Sequence, residues 1–396
     1  MQNSAMNSAQ RLGSLDLLRG VAVLGILVVN IQLFAMPVAG VLSPKLVSEL
    51  QGGDFIVWFV SHVLFEGKFI ALFSALFGAS IVMLTQIHRS KGLDHWACHW
   101  RRMAALGLIG IAHGVLLWMG DILFLYALIG MLAFFFVDRD VRYLLTWGII
   151  IFAVPIVAYV VAGWGISELP VSGFVALASS APSVHEQVVT AVNAYQGSWM
   201  EQLQQRLTEV ATRYFVGIPT SLGWLVLGCM LVGMAGYKSG FLTASWSARS
   251  YIKTSLWGFV VGITLSIAGV MHREAYDWEI LSGFLIADQL NQIAIPFTAI
   301  GWAALVMLIY KQGWLQKALW PLVAVGRTAL SCYLLQTLLC TAIFYGFGLG
   351  LYGELTRVEQ LVVVIGVWLA LLLAAPLWLY RFRMGPAEWL LRRASS

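Results

Sequence analysis

An all-α bundle that crosses a membrane about ten times, with both termini cytoplasmic, is the fold the sequence predicts, and three observations predict it. Of the 396 residues, 60% are hydrophobic and only 11% are charged, against roughly 25% charged residues in a soluble domain. Apolar runs of roughly 20 residues, the length that crosses about 30 Å of hydrocarbon, recur from end to end. The third observation is sidedness. About 18 of the 24 Lys and Arg fall in predicted loops of one side and about 5 on the other, with Lys68 alone inside a segment, the bias expected of cytoplasmic loops.

The elements follow in order. Residues 1–13 are a polar tail. Ser14 reads as an N-cap and Asp16 as a first-turn acid of a span that runs to about Met36. A cleaved signal peptide is the rival reading. The apolar run of about 17 residues exceeds the usual 7–15, and an acidic residue lies close to Arg19, so the segment is read as an uncleaved span. Residues 54–86 would measure about 50 Å as one helix. Glu66 and Lys68 therefore divide them into an interfacial helix, 55–65, and a true crossing. Further spans are expected near 103–118, 122–137 and 143–162. Residues 163–213, with Pro170, Pro182 and a polar stretch, form an extracytoplasmic insertion that lies partly on the membrane surface. Five spans follow near 214–235, 251–270, 284–310, 321–345 and 360–380, and then a basic cytoplasmic tail, 381–396. The whole chain, 1–396, is read as one integral membrane domain.

Charge and cysteine usage exclude other classes. The net charge of +5 is explained by topology, so no nucleic-acid partner is implied. Cys98, Cys229, Cys332 and Cys340 have no metal-type spacing, and the last three lie in apolar spans as small core residues. The 17 tryptophans suit membrane interfaces, where the ring is buried and the indole N–H stays wet.

The few polar residues inside the spans divide by depth. The stretch 111–130 is apolar almost throughout, yet it holds His113 and Asp121 near the predicted outer face. An ionisable group there is costly unless it faces protein or water, which makes function its default reading. The alternatives are a histidine tied to a neighbouring carbonyl and an aspartate that caps the next helix. Histidine suits a general base because its ordinary pKa of about 6.5 lets it accept a proton near neutral pH. Eight residues of helix would hold the two groups about 12 Å apart, so direct contact requires the chain to turn back.

Asn30, Asp288, Asn291, Gln292 and Gln336 are candidate substrate-binding groups, with interhelical hydrogen bonding as the alternative. Arg19, Arg101, Arg102 and Arg327 gather at the inner end as candidate anion-binding groups, and Lys68 joins that set. Snorkelling to lipid phosphates is the alternative for Arg19, and anchoring at the membrane face for Arg327. His62 and Glu66 stand four apart, but no third ligand has a recognisable spacing and no metal is expected. Walker loops, dinucleotide fingerprints, zincin motifs and nucleophile elbows are absent from the sequence.

Five blocks carry a family resemblance: L-D-L-L-R-G-V-A-V-L-G-I-L-V-V-N-I (15–31), G-K-F-I-A-L-F-S-A-L-F-G-A (67–79), H-G-V-L-L-W-M-G-D-I-L (113–123), G-R-T-A-L-S-C-Y-L-L-Q-T-L-L-C-T-A-I-F-Y-G-F-G-L-G-L-Y (326–352) and G-P-A-E-W-L-L-R (385–392). In this order, and over nearly the whole chain, they resemble the bacterial YeiB-like inner-membrane proteins. More distantly, L-D-L-L-R-G and the following span resemble the first helix of the transmembrane acyltransferases, which include heparan-α-glucosaminide acetyltransferases and envelope-glycan O-acyltransferases. In the latter an arginine is followed after ten residues by a histidine. Arg19 matches the arginine, and Asn30 stands in the histidine's place. The glucosaminide enzymes have asparagine there and use a histidine slightly downstream, where this chain has none before His62. His113 is therefore assigned as base on chemistry rather than position.

The resemblance implies acyl transfer from cytoplasmic acyl-CoA (acetyl-CoA), as co-substrate, to an extracytoplasmic acceptor such as a sugar, with no tightly bound cofactor expected. The arginines would meet the CoA phosphates, and Asp121 would orient His113 or bind the acceptor. A secondary transporter or proton-coupled carrier of a small solute would show the same division of polar groups. A homo-oligomer is compatible with either.

Overall fold

A computed structural model of the protein describes residues 2–42, 44–47, 50–168, 183–313 and 317–394; Pro170 and Pro182 of the predicted insertion lie outside them. Among the described residues every regular element is a helix. Helix α1 spans Gln2–Ala35, α2 Gly52–Leu64, α3 Lys68–Ser90, α4 His95–Leu116, α5 Leu123–Phe134 and α6 Val141–Ser167. Of the described part of the insertion, residues 163–168 continue α6 and its C-cap, and helices α7 (Val184–Gln196) and α8 (Trp199–Thr212) follow. Then come α9 (Gly223–Lys238), α10 (Ala248–Ala275), α11 (Asp288–Gln312), α12 (Trp320–Arg327), α13 (Ala329–Phe344), α14 (Arg357–Arg381) and α15 (Pro386–Ala394).

Seven helical stretches are long and apolar enough to cross a bilayer, or eight if α12 and α13, which meet at a 90° bend, count as one broken span. Two of the ten expected spans fall short, for physical reasons. Helix α5 has 12 residues, about 18 Å at 1.5 Å per residue, less than the hydrocarbon thickness. Helix α4 carries Arg101, Arg102, His99 and His113 within its 22 residues, which lowers its hydropathy. The two pack on each other as a helical hairpin.

The predicted division of residues 54–86 is present. Helices α2 and α3 are separated at Phe65–Gly67, where Gly67 takes φ 74°, a conformation that a residue with a Cβ adopts only under strain. The start of the first helix differs from the expectation. Helix α1 already covers the polar segment, and Ser14 is internal to it, donating its hydroxyl to the Leu242 carbonyl at 3.2 Å. The insertion differs as well: α8 does not stop before the membrane but continues through a π-helical segment, Arg213–Leu222, into α9. Pro219 lies in that segment, and its missing N–H suits a local change of hydrogen-bond register.

A large apolar core runs through the bundle, and Leu50, Trp58, Val270 and Trp278 form a second, small cluster. Large apolar residues such as Ile149, Val157, Leu369, Leu373 and Leu377 are exposed on α6 and α14, as expected where a helix faces lipid rather than water. The protein is a multi-pass helical membrane protein.

Candidate functional site

The α4–α5 hairpin creates the central polar contact. Glycines at positions 107, 110 and 114 line one face of α4, and they let α5 approach at backbone distance. A Cβ on Gly110 would stand 2.2 Å from the Phe124 nitrogen, and one on Gly114 would stand 3.3 Å from the Asp121 Cβ. After Leu116 the chain reverses, with the Leu117 and Trp118 amides both donating to the His113 carbonyl at 3.0 Å. Trp118, fully buried, stacks on Phe34 of α1 with ring centroids 3.9 Å apart. The reversal brings Asp121 back to His113, so the 12 Å separation along a continuous helix does not arise.

His113 Nδ1 lies 2.9 Å from Asp121 Oδ1, and its Nε2 lies 2.9 Å from Thr337 Oγ1 on α13. Asp121 is fully buried and has three further donors. The Leu123 amide reaches Oδ1 at 3.1 Å; the Phe124 amide and the Tyr214 hydroxyl reach Oδ2 at 2.8 and 3.3 Å. The two amides make it the cap of α5 as well, so the capping and functional readings coexist. A carboxylate with this many donors is an acceptor at every contact, which puts the imidazole proton on Nδ1 and leaves Nε2 to accept the Thr337 hydroxyl proton when the ring is neutral. Arg213 directs further positive charge toward Asp121, Tyr214 and Tyr333.

The insertion holds this end of α4 in place. Arg206 of α8, fully buried, donates through Nε to the Val115 carbonyl at 2.7 Å, and through NH1 to that of Leu117 at 3.3 Å. Trp199 Nε1 donates to the Leu116 carbonyl at 3.1 Å. A buried guanidinium on the free carbonyls of a helix C-terminus satisfies acceptors the helix cannot, and opposes the negative end of its dipole.

A cavity of about 610 Å³ lies alongside. Its wall includes Arg19, His88, Lys91, Arg102, Arg327 and Arg392 at one end and Phe73, Leu106, Ile122, Tyr126 and Tyr333 deeper in the bundle. Arg102 and His113 are eleven residues apart on α4, about 16 Å. The Tyr333 ring lies 5.2 Å from that of His113, so the deep wall of the cavity abuts the relay. The cationic end is assembled by close packing of α1 against α12, where a Cβ on Gly326 would stand 1.7 Å from the Asp16 carbonyl oxygen. Arg19 is oriented there by Asp16 at 2.7 Å and Ser80 at 3.2 Å. Helix α15 lies at the same end, with Glu388 and Leu391 in the cavity wall.

The predicted residues therefore divide. Arg19, Arg102 and Arg327 share the cavity wall, whereas Arg101 is exposed and outside it. Lys68 is elsewhere. It is fully buried and donates to the His62 carbonyl at 2.7 Å and to Asn291 Oδ1 at 2.5 Å, while Ser266 also donates to Asn291 Oδ1, at 3.0 Å. Asp288 pairs with Arg273 beside this group. Gln292 is half-buried. Gln336 braces α13 to α1 by donating to the Val23 carbonyl at 3.0 Å. Asn30 is buried on α1 and makes none of the relay's hydrogen bonds. Among the described residues no group of three potential ligands could hold a metal; His62 pairs with Glu66 at 2.6 Å without a third.

The sequence assigned no role to Tyr333, a polar residue of the same span as Gln336, and did not point to Thr337 or Tyr214. Thr337 and Tyr333 sit four apart on one helix face, a spacing that could have been noticed beside Gln336. Tyr214 carried no signal, because nothing local ties it to Asp121.

Residues 236–396 match the family described as "Protein of unknown function (DUF418)". The chain is 32% identical over 388 residues to the "Uncharacterized protein YeiB" of Escherichia coli (strain K12), covering 96% of this chain and 95% of that one. It is 29% identical over 405 residues to the "Uncharacterized protein YxaH" of Bacillus subtilis (strain 168), covering 98% and 94%.

Proposed function

The chain belongs to the YeiB-like family of membrane proteins, and from the geometry of its site we propose that it is a transmembrane acyltransferase of the bacterial cytoplasmic membrane. In this reading the cationic mouth faces the cytoplasm, following the charge bias of the loops, and receives the phosphates of acyl-CoA. The apolar body takes the pantetheine and acyl group. His113, held in one tautomer by Asp121, takes the proton of the attacking hydroxyl, and an envelope acceptor such as a sugar receives the acyl group on the outer side. One observation supports the proposal: a single cavity has cationic side chains in its wall together with Tyr333, whose ring lies 5.2 Å from that of His113 in the buried Asp–His pair. Guanidinium groups match phosphate oxygens in charge and geometry.

The test is binding and hydrolysis of acetyl-CoA by the purified protein in detergent, wild type beside His113→Ala. Thermal stabilisation by CoA, with acetyl loss that the variant lacks, supports acyl transfer. A folded wild-type protein that does not bind CoA sinks it. A second reading, a proton-coupled carrier, is favoured by the buried Lys68, whose hydrogen bonds go to neutral oxygens. Solute-dependent proton flux in vesicles, abolished by Lys68→Met, would support that reading instead.

A further inference from the structure

Thr337 is fully buried, and its hydroxyl faces the one nitrogen of His113 that Asp121 leaves free. The sequence Asp121–His113–Thr337 thus has the connectivity of a nucleophile, a base and an orienting carboxylate. Both heteroatom separations are 2.9 Å, within the range such triads require. The carboxylate is immobilised by two backbone amides and a tyrosine, and the helix carrying the base is clamped by Arg206. Thr337 stands one turn, about 6 Å, beyond Tyr333, which forms the cavity wall. The Tyr333 hydroxyl is buried and unpaired; the Ile122 backbone approaches it without reaching hydrogen-bond geometry. A buried hydroxyl with an unused proton, next to a cavity end, can donate to charge that develops there.

We propose that Thr337 is the nucleophile that accepts the acyl group from acyl-CoA, forming an ester on α13 before transfer to the final acceptor. This rests on the acyltransferase reading above and adds a covalent step to it. Thr337 Oγ1 attacks the thioester carbonyl carbon as its proton passes to His113 Nε2. The tetrahedral adduct, its oxyanion facing the Tyr333 hydroxyl, collapses with cleavage of the C–S bond, and the CoA sulfur leaves with the proton from His113. In the second half the acceptor hydroxyl attacks the Thr337 ester, giving its proton to His113. The C–Oγ1 bond breaks, and Thr337 regains a proton from the imidazolium. No oxidant or reductant is required. The relay that activates Thr337 in the first half activates the acceptor in the second.

The deciding experiment is isotope exchange. Full-length protein in detergent is mixed with acetyl-CoA and labelled free CoA, with no acceptor added, and label entering acetyl-CoA is measured. A covalent acyl-protein supports exchange without acceptor, whereas direct transfer cannot. Wild type and Thr337→Ser are expected to exchange. Thr337→Val, nearly the same shape, is expected to lose exchange by about a hundredfold or more, and acid-quenched wild type is expected to carry one acetyl group on the Thr337 peptide. Exchange that survives in Thr337→Val, or acetyl-CoA turnover to an acceptor without exchange in wild type, overturns the covalent step while leaving acyl transfer intact. A folded wild-type protein that does not bind acetyl-CoA overturns the acyltransferase reading itself. If Thr337→Val fails to fold, the wild-type exchange and the site of its adduct still decide the question.

Discussion

Asp121 and Lys68 are both ionisable and both fully buried, yet their surroundings differ in kind. Around Asp121 the donors are two amides, a tyrosine and a histidine whose other nitrogen meets a hydroxyl. Charge there is stabilised, and a proton has somewhere to go. Around Lys68 the acceptors are a carbonyl and an amide oxygen that tie α3 to α2 and α11, which is the interhelical bracing expected of polar groups in a bundle. The first group also abuts a cavity and the second lines none of the cavity described. A buried charge is therefore not a sufficient sign of chemistry. The additional signs are an uncommitted partner and a route to it. The histidines of α4 repeat the lesson. His99, bonded to the Gly130 carbonyl at 3.1 Å and stacked on Phe134 at 4.1 Å, has a packing role; His113 has a relay.

Four measurements press on this contrast, the largest effect first. His113→Ala and Asp121→Asn should each lower acetyl-CoA turnover by about 10²- to 10⁴-fold, while Lys68→Met should change it by less than about threefold; equal losses in all three would erase the distinction. Next, Asn291→Leu should destabilise the protein by about 3 kcal/mol because it strips a buried ammonium of a partner. Lys68→Met, which removes the charge itself, should cost about 1–2 kcal/mol, and the reverse order in detergent melting curves would refute the bracing role.

Third, Gly110→Ala should cost about 1–3 kcal/mol, because the clash 2.2 Å away is with backbone. Gly165→Ala, which meets nothing within 4 Å, serves as the control. Smallest is a peripheral effect. The Arg89 guanidinium, bonded to Asp138 at 2.6 and 2.8 Å, holds that carboxyl below the usual carboxylate range. Its contribution is present above the unfolded-state pKa and is lost as pH falls through the lowered native value. Both side chains are largely exposed, so it should not exceed about 1 kcal/mol. Asp138→Asn should flatten that small acid limb, and an unchanged limb would locate the acid sensitivity elsewhere.

The fold class was legible because a bilayer demands long apolar helices, and the break at Glu66–Lys68 was legible because a helix of that length overshoots the membrane. The shortness of α5 was not, since composition alone does not reveal where Asp121 turns the chain and caps a new helix. For the same reason the His113–Asp121 contact was hidden: spacing along a sequence measures distance only while the helix continues. Of the four arginines grouped by depth, Arg19, Arg102 and Arg327 share the cavity wall and Arg101 does not; depth also could not separate them from Lys68, which lies in another helix interface. Thr337 escaped notice because a threonine in a membrane helix ordinarily bonds to its own helix; here the Tyr333 carbonyl at 3.3 Å competes with His113 Nε2 at 2.9 Å for the one hydroxyl proton.

The bend at Thr328 carries a consequence for biosynthesis. The first amides of α13, those of Leu330 and Ser331, are capped by Glu388 at 2.7 and 3.2 Å, and Ser331 Oγ reaches the same carboxylate at 2.5 Å. The clasp and its target are 57 residues apart in the chain for the Ser331 contact, with all of α14 between them. Because Glu388 follows α13 in the chain by all of α14, this capping contact can form only once α15 has been made. The helix that carries Thr337 therefore takes part of its N-terminal cap from the C-terminal helix, which also contributes to the cavity wall.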